Sequence, residues 1–412
     1  MSERDRLVKM VSLNDLVSLR SYLNRNVHFN VGEANFSYES ETHKSFDRNA
    51  RNRRNDDDQQ EEDLPNTGLT LLHIAAYYNA LECFRYLQLE KKLGLSRKSA
   101  GDFLPLHYAC RTGSYEVALY ILTSEPSQAT YQVSGGGNLQ LLYCATVGGD
   151  PQILEALFYG GAKMTNTAIN NEKKLIEKAI GVHNREILTI LLDHPAQKGK
   201  NTPEMTTAMR AVICHNPEAL GIIYRKGDAL VHFTDKFGYH SLISLICEMD
   251  PGKSFKKILL QILTDVAENE IEPPVKGGLM YQSGVCHWAC MYYDLEVARK
   301  MFKTKGFLPN RLDNEHKTGA ARLAERKGKE VIEILDLLIT QHDFNINARE
   351  NESYPTLLES FASAINANYE AIQFLIASGA RTDVKHSKKN MTLYDFVKGG
   401  KNIKLKKAFG IK

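Results

Sequence analysis

Cys286, His287 and Cys290 stand within one short stretch, and thiolate sulfur and imidazole nitrogen are the usual donors to zinc. A fourth ligand is not evident nearby. His287 and Cys290 also repeat, 180 residues on, the relative placement of His107 and Cys110, which points to a packing role. Gly252-Lys253-Ser254 has the ending of a phosphate-binding loop, but the leading glycine such a loop needs falls on Cys247, so the backbone cradle is missing. A thiol hydrolase needs a cysteine beside a histidine. Seven cysteines and thirteen histidines produce such neighbours by chance, and no glycine-flanked nucleophile accompanies them. The chain is expected to be no enzyme, with no catalytic residue, metal or cofactor.

The elements that carry these residues recur. Pro105-Leu106-His107-Tyr108-Ala109-Cys110 and the segment ending Tyr115-Glu116-Val117-Ala118 are echoed by Val285-Cys286-His287-Trp288-Ala289-Cys290 and Leu295-Glu296-Val297-Ala298. Thr70-Leu71-Leu72-His73-Ile74-Ala75 begins the same way, 34 residues before Leu104. On these residues the sequence resembles the ankyrin repeat family, whose signature is T-P-L-H-x-A on a period near 33. Anchors at the last position of that hexad are placed at Ala75, Ala109, Ala145, Ala179, Ala211, Leu245, Ala289, Ala324, Phe361 and Val397. The resemblance implies that the hexad histidine bonds backbone between repeats and that the cysteine fills a small core slot.

Each repeat reads as two helices. Leucine and alanine one turn apart share a face, and a small anchor permits close packing. Gly113, Gly149 and Gly328 suit a tight turn after the first helix. A second stripe follows, as in Val117, Ile121 and Leu122. The expected fold is therefore an all-α, ankyrin-repeat solenoid of about ten to eleven helix-turn-helix units. No single unit buries its apolar face alone, so the array is stable only as a stack.

Five segments follow. Residues 1–30 form an N-terminal capping helical pair. Residues 31–64, with an arginine run followed by an acidic run and few apolar side chains, form a disordered charged loop. Residues 65–248 are repeats, and 249–280 form an insertion of extended helix and loop. Residues 281–412 are repeats with a basic C-terminal cap, in which 381–412 holds ten Lys or Arg against two Asp.

Net charge is +3, too small for a strong global field. The odd cysteine count argues against a complete disulfide framework and fits a reducing compartment. The charged N-terminus lacks an apolar signal core, and no apolar run reaches membrane-spanning length. A cytoplasmic location is expected.

The function expected is a protein–protein interaction scaffold that grips a partner protein through the concave face of the array. Large aromatics are typical interface anchors. The residues singled out for contact are Tyr77, Tyr78, Phe103, Tyr108, Arg111, Trp288, Met291 and Tyr292. No small-molecule substrate is evident, and nucleic acid is not expected, since the basic tail lacks interleaved aromatics. One alternative is a secreted pathogen effector acting in a host cytosol, or an enzyme with a small module hidden in 201–280. Another is a component of a larger assembly that docks through the basic tail.

Overall fold

The computed structural model describes residues 2–26, 29–32, 36–37, 64–99, 101–133, 140–164, 169–194, 205–226, 241–250, 252–265, 284–304, 307–313, 315–341 and 343–411. The expected loop over 31–64 and the loop part of the 249–280 insertion lie largely outside them. Among the described residues the secondary structure is helical, with only isolated antiparallel bridges at Phe36–Leu69, Leu312–Thr318 and Lys385–Thr392. The all-α expectation holds. No helix of the described residues is long and apolar enough to cross a membrane. The chain divides into two compact bodies, Met1–Lys200 and Asn201–Lys412.

The first body contains helices α1 (Glu3–Ser12), α2 (Leu16–Arg25), α3 (Leu71–Tyr77), α4 (Leu81–Leu89), α5 (Pro105–Thr112), α6 (Tyr115–Ser124), α7 (Leu141–Gly148), α8 (Pro151–Tyr159), α9 (Ile169–Gly181) and α10 (Arg185–Asp193). They pair consecutively, so each odd-numbered helix is the first of its repeat. First helices stack in order, α1 on α3, α3 on α5, α5 on α7 and α7 on α9, while second helices stack beside them from α2 to α10. Buried leucine, isoleucine and alanine side chains form the spine of each contact, among them Leu72, Ala75, Leu106, Ala109 and Leu154.

Local chemistry sets the helix ends. The turn inside each repeat passes through a left-handed residue, and Gly113 and Gly149 take φ values of +67° and +78° without strain. Elsewhere Asn14 and Asn79 occupy that position, at φ +54° and +53°. Their side chains then serve the next repeat. The amide N–H of Cys83 donates to Asn14 Oδ1 at 3.1 Å, and that of Val117 donates to Asn79 Oδ1 at 3.2 Å. Helices α4 and α6 lack a capping side chain of their own. An asparagine one repeat back thus satisfies an otherwise orphaned donor and ties neighbours together. Asp15, Asp150 and Asn184 cap their own second helices directly.

The second body contains α11 (Met205–Ile213), α12 (Pro217–Arg225), α13 (Leu242–Met249), α14 (Lys256–Asp265), α15 (Val285–Tyr292), α16 (Leu295–Met301), a 3-10 helix (Gly319–Glu325), α17 (Glu330–Ile339), α18 (Leu357–Ser363), α19 (Tyr369–Ala377), α20 (Leu393–Gly399) and α21 (Ile403–Ala408). First helices stack from α11 through α13, α15 and the 3-10 helix to α18. Second helices stack α12–α14–α16–α17–α19–α21. The described part of 201–280 consists of two such helix pairs.

Two anchor placements are corrected. In clear repeats the helix N-cap precedes the anchor by five residues, as with Thr70 and Ala75, or Gly284 and Ala289. Ser241 and Thr318 are the N-caps of α13 and the 3-10 helix, so their anchors are Ile246 and Leu323, not Leu245 and Ala324. Both replacements have no exposed surface. A Cβ on Gly319 would meet the backbone of Cys286 and His287 at 2.6 Å, so the start of the 3-10 helix lies close against α15.

Candidate partner-binding surface

At His73 and His287 the hexad histidine joins its repeat to the next one. His73 has no exposed surface, and its Nδ1 accepts from the Thr70 amide at 3.1 Å and the Thr70 hydroxyl at 2.7 Å. Nε2 therefore carries the proton and donates to the Phe103 carbonyl at 3.0 Å, thirty residues on. His287 repeats the pattern, with Nδ1 accepting from the Gly284 amide at 3.1 Å and Nε2 meeting the Lys317 carbonyl at 3.0 Å, again thirty residues on. His107 accepts from the Leu104 amide at 3.2 Å. Residue 137, thirty residues on from His107, lies outside the described residues.

These contacts settle what the imidazoles do. Burial pushes the pKa of His73 down to about 4 and of His107 down to about 3, so both are neutral near pH 7. Burial lowers His287 as well. Both nitrogens of His287 already have protein partners, and Cys286 and Cys290 are fully buried beside it. Burial raises Cys110, Cys247 and Cys290 well above the ordinary thiol value and Cys144 to about 12, which keeps them protonated and poor as nucleophiles or ligands. Among the described residues no group of His, Cys, Asp or Glu is arranged to hold a metal ion.

The aromatics singled out from the sequence turn out to divide. Tyr108 has no exposed surface. Its ring stands edge-on to His73 at 5.2 Å, and its hydroxyl donates to the Pro65 carbonyl at 2.8 Å. Phe103 is 5% exposed and packs edge-on against His107. Tyr77 is buried beneath Tyr78, with ring centroids 4.9 Å apart. Arg111 and Trp288 are buried as well. Tyr292 is buried, and its hydroxyl donates to Asp250 Oδ2 at 3.0 Å. Burial and that carboxylate raise its pKa.

The expectation that Tyr77, Phe103 and Tyr292 present exposed rings is therefore corrected. The rings pack within the stack instead, Phe103 against His107, Tyr77 beneath Tyr78 and Tyr292 with its hydroxyl on Asp250. Tyr78 and Met291 are the two of the eight that keep partial exposure. Tyr78 caps the C-terminus of α3, and the Met291 carbonyl accepts from Arg326 Nη2 at 3.2 Å.

Residues 44–132 match the family model for ankyrin repeats in three copies. That stretch carries ankyrin repeats. The matched stretch includes α3 to α6 and both His73 and His107, and the repeat geometry recurs at His287, outside it. Among solved structures, the human ASB11 ankyrin repeat domain is similar at 16% identity and a TM-score of 0.39, over 64% of this chain and 96% of that one. No curated protein matches the chain in sequence.

Two buried aspartates of the helical stack carry no distinguishing mark in the sequence. Asp313 is buried, accepts from the Lys317 and Glu315 amides and pairs with Arg322 Nε at 3.0 Å, holding the loop whose Lys317 carbonyl receives His287. Asp250 accepts from Ser254, Phe255 and Tyr292. Their signal was a lone acid before a turn, which sequence alone does not separate from a solvated one. Exposed apolar side chains at Tyr159, Ile365 and Ile403 carried no periodic signal either.

Proposed function

We propose that the chain is a protein-binding scaffold whose ankyrin repeats hold a partner through the exposed ends of first helices, with Tyr78 and Met291 among the contact residues. Ankyrin repeats generally mediate protein–protein interaction. The buried members Tyr77, Phe103, Tyr108, Arg111, Trp288 and Tyr292 act from beneath, as the support on which the contact residues rest.

The observation that carries this reading is Tyr78. Its ring is half-exposed at the end of α3 yet fixed edge-on against the buried Tyr77 ring. A large aromatic already held in one orientation loses little rotamer freedom on binding, which is the property of an interface anchor. Met291 offers the complementary property, a soft side chain that adapts to an irregular surface.

A photocrosslinking amino acid placed singly at Tyr78, Met291 and Tyr159 tests the proposal in cells. Tyr159 is 98% exposed at the end of a second helix and serves as control. A partner protein should be captured from position 78 or from position 291, each in its own body, and not from 159. Capture from 159 alone would move the binding surface to the second helices.

A further inference from the structure

The last two helices carry an unbalanced surface. From Leu393 to Ala408 there are five lysines against one acid, Asp395, whose carboxylate accepts from the Thr392 hydroxyl at the start of α20. Leu393 and Val397 of α20, and Leu405 and Ala408 of α21, point inward and are buried. Turned away from them are Tyr394 and Lys398, four apart on α20, and Ile403, Lys404 and Lys407, three and four apart on α21. Lys401 stands in the turn between. All six are exposed, with Ile403 at 80% and Tyr394 at 37%. Nearby charges that do pair, Arg381 with Asp383 and Lys385 with Glu352, lie outside this face. Lys398, Lys401, Lys404 and Lys407 make no ion pair among the described residues.

We propose that this face of α20 and α21 binds the surface of an anionic lipid bilayer. Three observations favour lipid over other anionic partners. The charge is carried by lysine alone, a point charge suited to a diffuse negative potential rather than to the bidentate geometry that arginine supplies. Lysine is depleted in protein–protein interfaces, where arginine and aromatics dominate. An exposed isoleucine stands among the lysines with one tyrosine, the combination that an interfacial segment sinks into the headgroup boundary. A single exposed aromatic is too little for a nucleic-acid stacking platform. Docking here is peripheral, since the helices are short and no described helix spans a bilayer.

Co-sedimentation of the full chain with vesicles tests this. Two compositions are compared, phosphatidylcholine alone and phosphatidylcholine with about one phosphatidylserine in four. The chain should sediment with the second and not the first, and binding should fall steeply with added salt. Each lysine within reach of the anionic surface contributes about fivefold in affinity. The combined Lys398→Gln, Lys401→Gln, Lys404→Gln and Lys407→Gln variant should therefore lose at least about a hundredfold. Ile403→Ser should weaken binding severalfold at unchanged salt dependence. The matching Lys→Arg variant should retain binding. All these positions are exposed, so an unchanged circular dichroism melt verifies the fold. The proposal is overturned if wild-type chain ignores anionic vesicles, if the four-glutamine variant binds them equally, or if duplex DNA or polyglutamate binds more tightly at the same salt.

Discussion

Acidification should weaken the first body through its two buried hexad histidines. In the unfolded chain an imidazole titrates near 6.5, whereas folding holds His73 at about 4 and His107 at about 3, because burial disfavours the charged ring. Both folded values lie below the unfolded one. The stabilisation is therefore fully present above about pH 7, and it is lost as pH falls below 6.5, where only the unfolded state takes up the proton. Between about pH 7.5 and pH 5 each histidine costs about 2 kcal/mol, or about 4 kcal/mol together. Carboxylates contribute to any acid effect, so the informative quantity is a difference. A His73→Gln variant loses one titrating site, and its decline over the same interval should be smaller by about 2 kcal/mol. It should start from lower stability, since the Thr70 amide and the Phe103 carbonyl lose their shared partner. Hydrogen exchange of the Ile74 and Ala75 amides, read at both pH values, reports the opening free energy of α3 directly. A wild-type decline equal to that of the variant would refute the placement of His73 as a neutral, buried link between repeats.

Two further outcomes follow from packing. Gly148→Ala should cost about 3 kcal/mol in thermal or urea unfolding, because its Cβ would sit 1.9 Å from the Cys110 carbonyl and the α5–α7 contact would have to open; an unshifted midpoint would contradict the close approach. Tyr77→Ala and Phe103→Ala in the first body, and Tyr292→Ala in the second, should each lose about 3 to 5 kcal/mol as core truncations. A normal melt for all three would return them to the surface.

The repeat was legible because its signal is local. A histidine three residues after the N-cap, an alanine two further on and a glycine past the helix end each answer to a neighbour at fixed spacing, so His73, Ala109 and Gly113 read correctly. Register failed where the anchor is not alanine. Ile246 follows another large aliphatic, Leu245, and Leu323 precedes an alanine, Ala324, that has the residue type expected of an anchor, so only the N-caps Ser241 and Thr318 resolve them. Exposure of the aromatics was illegible for a different reason. Whether Tyr108 faces a partner or its own chain depends on the loop around Pro65, and that contact spans 43 residues. The same holds for Tyr292 and Asp250, which meet across 42 residues. Capping across repeats by Asn14 and Asn79 was equally non-local, since each asparagine looks like an ordinary turn residue until the next helix lies beside it.

Hydroxyl-radical footprinting read by mass spectrometry measures, side chain by side chain, how the aromatic residues and Met291 divide between fold and surface. With the urea-unfolded chain as reference for intrinsic reactivity, Tyr78 and Met291 should oxidise at rates between that reference and the buried set, as their partial exposure requires. Tyr77, Phe103, Tyr108, Trp288 and Tyr292 should be strongly protected in the folded chain, as their burial requires. Comparable oxidation across the whole set would contradict the account and restore these aromatics to an open binding face.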